Sequence, residues 1–385
     1  MQSLKVNNLG PITSADLRFG DLTLLVGPQA SGKSILLQLI KLLLDKRHIR
    51  KTLEQYGFIW GNKEAVILDR YFGEGMSGIW TPKTEITFNN KSYSSNFLLP
   101  KKRESIKDAE ENLFYIPAQR VICLQNGWPR FFTDYEDSVP FVLRHFSETL
   151  RQLLERGINS KNDTIFPQSQ RLKEPLRESI NESIFHDGKI VVDKTSGKKR
   201  FKLDVGSSSI PFMAWSAGQK EFMPLLLSFY WLCPSSKVSK KESIEYVIIE
   251  EPEMGLHPQA IKSVILQVMD LMSRGYKVII STHSPVLLEF AWAFKFLKDE
   301  NADSQALADL FEIKKRGPSL NNMFDAVLKK NINTYYFDRG ENEEVIIKDI
   351  SSLDAGSEDK AVSEWGGLSS FSTKASDIIL KVTAE

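Results

Sequence analysis

Four short runs of this 385-residue chain hold side chains whose types and spacing can do chemistry. GPQASGKS at 27–34 fits the spacing G-x-x-x-x-G-K-S. In that pattern Gly27, Pro28, Gln29, Ala30, Ser31 and Gly32 curl the backbone so that its N–H groups face phosphate oxygens. Lys33 then reaches the outer phosphates and Ser34 offers a hydroxyl to Mg²⁺. YVIIEEPEMGLHP at 246–258 is an apolar strand ending in two adjacent carboxylates. Successive strand residues point in opposite directions, so Glu250 and Glu251 can take separate tasks, one at a metal ion and one at an attacking water. WSAGQKEF at 215–222 places Ser216, Gly218 and Gln219 at a helix start. That is either a second phosphate-binding end or an ordinary serine-capped helix. STHSP at 281–285 puts His283 just after another apolar strand, where an imidazole can meet a γ-phosphate or a water, or serve structure alone.

These runs need elements to hold them. Short strands are expected at Ser3–Asn7, Ile12–Phe19 and Asp21–Val26, then a largely apolar helix over Lys33–Leu44. Further strands are expected at Ala65–Leu68, Glu85–Phe88 and Asn112–Ile116. Helical spacing at Val142, Phe146, Leu150, Leu153 and Leu154 predicts a helix over Phe141–Arg156. Another is expected over Arg171–Phe185, followed by a hairpin over Gly188–Val205. From Phe212 the pattern alternates helix and strand: a helix to Leu232, Glu245–Ile249, Pro258–Ser273, Tyr276–Ile280 and Pro285–Lys298. Two short helices and a final hairpin, Asn333–Phe337 with Glu344–Ile350, complete the reading.

Composition narrows the class. Fifty basic and 49 acidic side chains give a net charge of +1, which excludes a strongly basic nucleic-acid coat but not a local basic groove. Two cysteines cannot build a disulfide framework or a four-cysteine zinc site. No run reaches the roughly 18 consecutive apolar residues of a membrane span, so a cytoplasmic protein is expected. Basic clusters at Lys101-Lys102-Arg103, Lys198-Lys199-Arg200, Lys237 with Lys240-Lys241, and Lys314-Lys315-Arg316 are candidate contacts to a phosphate backbone.

In this order the four motifs resemble the ATP-binding-cassette (ABC) ATPase superfamily, over 1–120 and 212–290. More narrowly they resemble its soluble branch of structural-maintenance-of-chromosomes (SMC), RecF-like and OLD-like ATPases. The E-E-P-E-x-x-L-H-P run is similar to that of OLD-like and related defence ATPases and unlike that of transporter cassettes. The resemblance implies an α/β fold, a P-loop NTPase of ABC-ATPase type, with a mixed sheet core, an N-terminal antiparallel β lobe and a helical insertion. The expected organisation is an N-terminal ATPase lobe at 1–124, the insertion at 125–210, a C-terminal ATPase lobe at 211–300, and completing helices and hairpin at 301–385.

The resemblance also implies roles. Lys33 and Ser34 are the phosphate-loop pair, and Glu250 stands where the Walker B aspartate usually does, sharing Mg²⁺ with Ser34 and Gln119. Glu251 matches the catalytic glutamate and His283 the switch histidine. Ser216, Gly218 and Gln219 match a signature that acts in trans, with Ala217 replacing a common glycine. Gln119 in YIPAQR is the candidate Q-loop residue, and Arg120 is the alternative phosphate-facing one. An ATPase using ATP and Mg²⁺ in a head-to-tail homodimer is therefore expected. No glycine-flanked Glu followed by an Asp-x-Asp strand is found, so a separate effector, a nuclease or toxin in bacterial antiphage defence, is the expected partner. The alternative is a RecF-like repair ATPase that clamps duplex DNA.

Overall fold

The computed structural model describes residues 1–101, 104–157, 163–195, 197–234, 240–314 and 317–383. A ten-stranded sheet runs through it. Its order is Lys91–Tyr93, Trp80–Phe88, Ser3–Leu9, Ile12–Arg18, Val345–Asp349, Ile332–Arg339, Leu22–Val26, Lys277–Thr282, Tyr246–Glu250 and Leu113–Ile116. The last five strands are parallel to one another. Both central runs, LTLLV and YVIIE, are buried at every position, as strands covered on both faces must be. Each such Val, Leu or Ile contributes about 1.5–3 kcal/mol of transfer free energy. Ser3–Leu9 and Ile12–Arg18 instead alternate buried and exposed residues, the mark of an antiparallel pair with one wet face. The antiparallel strands thus form one end of the same sheet.

Apolar layers lie on both faces. One gathers Leu24, Ile249 and Ile280 with Phe222, Leu226, Val264 and Met269. The other packs Leu25, Ile248 and Ile279 against Leu36, Leu39 and Ile40. The helix Lys33–Gln55 belongs to the second layer and kinks at Asp45, where φ is −119° and ψ 18°. Residues 125–210 contribute the helix Phe141–Glu155 and a small sheet of Thr164–Phe166, Lys189–Asp193, Arg200–Val205 and Ser208–Pro211. Their Phe146, Leu150, Phe166 and Phe201 join the first layer.

One expected strand is a helix. Glu64–Phe72 buries Ile67, Leu68, Tyr71 and Phe72, a helical spacing that the short window Ala65–Leu68 is too brief to reveal. A C-terminal helix, Ser370–Thr383, was not foreseen. The first, third and fourth basic clusters fall partly outside the description, at Lys102, Arg103, Lys237, Lys315 and Arg316. Among the described residues no helix is long and apolar enough to cross a membrane.

Candidate functional site

Register brings the predicted residues to one edge. Leu25 pairs with Ser281, and Ser281 with Glu250, so three parallel strands end at one level. The phosphate loop, Glu251, His283 and Pro117–Ala118 leave those ends together, at the carboxyl edge where open α/β sheets bind ligands.

Gly32 caps the helix Lys33–Gln55 in a left-handed conformation, φ 88°. A Cβ there would lie 3.0 Å from Pro11 Cγ, so both the turn and the packing require glycine. Pro28, Gln29 and Ala30 are exposed at the rim, whereas Ser31 and Lys33 are buried. The Lys33 ammonium donates to the carbonyls of Gly27 (2.9 Å) and Pro28 (2.7 Å). Burial lowers its pKa to about 8, against the pull of Glu251, Glu253 and Glu250.

Glu250 is 5% exposed. Its Oε2 accepts the Ala118 N–H at 3.3 Å, while its Oε1 has no protein partner. Burial raises its pKa, and the Ser34 hydroxyl, Ala118 N–H and nearby Tyr115 oppose that rise. The Tyr115 hydroxyl lies beside the carboxylate without closing a hydrogen bond. A buried carboxylate with a spare oxygen, next to a hydroxyl, is a donor set suited to a hard cation such as Mg²⁺. Gln119 sits exposed on the adjoining turn, beside the residue that donates to Glu250.

Glu251 holds a left-handed backbone, φ 41°. Its N–H donates to Ser281 O at 2.9 Å, and its carboxylate lies 3.4 Å from His283 Nε2. Both side chains are half-buried at the mouth of the site. The Glu250 carboxylate is therefore the buried one of the adjacent pair and the Glu251 carboxylate the half-exposed one.

Two residues take parts that the sequence did not disclose. Glu253 accepts the Thr282 hydroxyl (2.7 Å) and the His283 N–H (2.6 Å), so the third acid of E-E-P-E fixes the histidine loop. Arg120 does not face a phosphate. Its guanidinium is fully buried and donates to the carbonyls of Pro117, Ala118, Glu221, Glu250, Glu251 and Pro252, at 3.0–3.4 Å. Each donor is used, because a buried charge is tolerable only with such partners. Glu221 lies on the helix Ala217–Leu232, so Arg120 ties that helix to the acid-ended strand.

That helix begins at the expected signature. Ser216 Oγ accepts the Gln219 N–H (3.3 Å), and Gln219 Oε1 accepts the Ser216 N–H (3.2 Å), a reciprocal cap. Gly218 presses on the turn after Glu253; a Cβ there would lie 2.7 Å from Gly255 O. Among the described residues no hydrogen bond joins Ser216–Gln219 to the phosphate loop of the same chain.

A glycine-turned loop between a buried parallel strand and a helix, with an acid-ended strand one place beyond its neighbour, defines a fold of the P-loop nucleotide-binding type. The chain belongs to the family described as "AAA domain, putative AbiEii toxin, Type IV TA system", whose model matches residues 22–289. It is also 28% identical over 181 residues, 44% of its length, to the Old nuclease of Escherichia phage P2. The match spans 29% of that nuclease. Among solved structures it is similar to an SMC head bound to the C-winged helix domain of ScpA (TM-score 0.40, 11% identity, covering 90% of this chain and 96% of the other). It is similar too to the SMC head domain from Thermotoga maritima (TM-score 0.35, 12% identity, 90% and 98%).

Proposed function

We propose that the protein binds ATP with Mg²⁺ on its phosphate loop and hydrolyses it, acting as a switch that controls a separate effector. The observation that carries this reading is the spare oxygen of buried Glu250 beside Ser34, at the same edge as Lys33. Ser34 and Glu250, with Gln119 nearby, would hold the ion, which when bound offsets the charge of the outer phosphates. Lys33 exchanges its loop carbonyls for phosphate oxygens. Glu251 orients water and accepts its proton, and His283 steadies that carboxylate.

Separation of the exposed signature turn from its own phosphate loop supports a head-to-tail pair in which each chain caps the other's nucleotide. Relationship to Old nuclease and to a family described by a toxin–antitoxin system supports an effector that is a nuclease or toxin in antiphage defence. The DNA-clamping alternative draws on a hollow of about 620 Å³ lined by Arg130, Lys199, Arg200, Trp128 and Phe131. It predicts ATPase stimulated by duplex DNA alone and weakened by salt; the effector reading predicts a stable complex with a second protein and no such stimulation.

Lys33→Ala removes charge-assisted bonds worth about 1.5–3 kcal/mol, so calorimetry with ATP and Mg²⁺ should read a loss of one to two orders of magnitude in affinity. Unchanged affinity would overturn the phosphate-loop assignment. The pH dependence has a definite sign. Below pH 8 Lys33 is charged in both free and bound protein, and affinity is flat. Above it the free protein loses the proton that phosphate binding must restore, so affinity falls, by up to about tenfold per pH unit. Titrations at pH 7, 8 and 9 check this, with Lys33→Arg expected to lack the inflection.

A further inference from the structure

A second cluster of chemically capable side chains lies away from the nucleotide site. His48 is on the helix Lys33–Gln55, about 22 Å along it from Lys33. Glu111 precedes the strand Leu113–Ile116, and His145 is on the helix Phe141–Glu155. We propose that His48, Glu111 and His145 form a binding site for a first-row divalent transition-metal ion, Zn²⁺ foremost.

One donor atom from each of the three lies within 4.8 Å of the others. A tetrahedral zinc site, with bonds of about 2.0–2.2 Å, needs donors about 3.3 Å apart, a contraction that side-chain rotation supplies. Two imidazoles and one carboxylate select zinc over Mg²⁺, which prefers oxygen and water. His48 Nδ1 is buried without a hydrogen-bond partner, an orphan acceptor or donor that a metal bond would satisfy.

The surroundings are built rather than casual. The His145 ring stacks on Phe141 (5.3 Å, 15°) and meets His48 edge to face (5.3 Å, 86°). At the helix kink, Asp45 accepts the backbone N–H groups of Asn112 (2.9 Å) and Leu113 (3.0 Å), which pins Glu111 beside the helix. Lys41 is the cation bonded to Glu111, with Lys51 and Lys241 also close enough to be felt by the cluster. Lys41 donates to Glu111 Oε1 and Asp45 Oδ2, both at 2.7 Å, so Asp45 shares its charge; His145 Nδ1 lies 3.6 Å from the same Glu111 Oε1, and an ion would share that carboxylate with Lys41. An ion here would cross-link the phosphate-loop helix, the strand that leads to Ala118 and the helix Phe141–Glu155.

The test uses the untagged chain, stripped with chelator and titrated with ZnCl₂, with CoCl₂ as a visible-absorption probe. One zinc per chain should survive gel filtration, and Co²⁺ should give the absorption of a nitrogen-containing site. His48→Gln with His145→Gln should weaken zinc at least about tenfold to a hundredfold and erase the Co²⁺ band, with ATP affinity kept. Lys33→Ala should retain zinc, which separates this site from the nucleotide reading. No retained zinc in the wild type, or a Co²⁺ band that survives both in the double variant and in Glu111→Gln, overturns the proposal.

Discussion

Glu251→Gln should leave ATP bound while its turnover falls by about two to four orders of magnitude, the range that a positioned general base supplies. The substitution is clean because the backbone of Glu251 is held independently of its own side chain. Its N–H is on Ser281 O and its carbonyl on Arg120, so an amide side chain leaves the φ 41° turn in place. The amide keeps a hydrogen-bonding group toward His283 but cannot take a proton from water. Single-turnover hydrolysis with radiolabelled ATP reads the chemical step. Size-exclusion chromatography with ATP and Mg²⁺ reads the assembly, where the variant should accumulate as an ATP-bound dimer. His283→Ala should slow the same step less, since it acts through Glu251. Wild-type turnover in Glu251→Gln would remove that carboxylate from the chemistry and leave His283 as the group to examine.

What the sequence made legible was local. A glycine-rich turn between an apolar strand and a helix start is specified by adjacent residues, and so is an apolar strand ending in Glu250-Glu251. The reciprocal cap of Ser216 and Gln219 is local too. Roles made by distant backbone were hidden. Arg120 looked like a phosphate ligand because an arginine near a nucleotide motif is usually an exposed cation. Its burial depends on the carbonyl of Glu221, 101 residues away, and on those of Glu250, Glu251 and Pro252, 130 to 132 residues away. Glu253 read as a departure from a motif, whereas its partners Thr282 and His283 come from the next strand. The helix Glu64–Phe72 was misread because four residues cannot separate period 2 from period 3.6. His48, Glu111 and His145 are scattered through 98 residues, with none of the close spacing of a metal motif.

Arg120→Met keeps much of the side-chain volume and discards every donor. Six carbonyl oxygens then lose the guanidinium, those of Pro117, Glu250 and Pro252 in buried bonds, while Ala118 O and Glu251 O keep one backbone N–H each. Loss of one member of a buried charged network costs about 3–5 kcal/mol, and urea unfolding should show a midpoint lowered to match. Function should suffer beyond stability. The left-handed turn at Glu251 costs about 1–3 kcal/mol by itself and persists because Ser281 holds its N–H and Met254 N–H and the Arg120 guanidinium share its carbonyl. With the guanidinium gone only the Ser281 and Met254 bonds oppose that strain, so the turn loosens and the Glu251 carboxylate is held less firmly against His283. Turnover at low temperature, where the variant is folded, should therefore drop far more than ATP affinity, which rests on Lys33 and the loop. Arg120→Lys should rescue little, since one ammonium cannot span carbonyls on the signature helix, the Ala118 turn and the acid-ended strand together. Should Arg120→Met instead keep both its unfolding midpoint and its turnover, the buried guanidinium is no clamp, and the site's geometry is set by the sheet register alone.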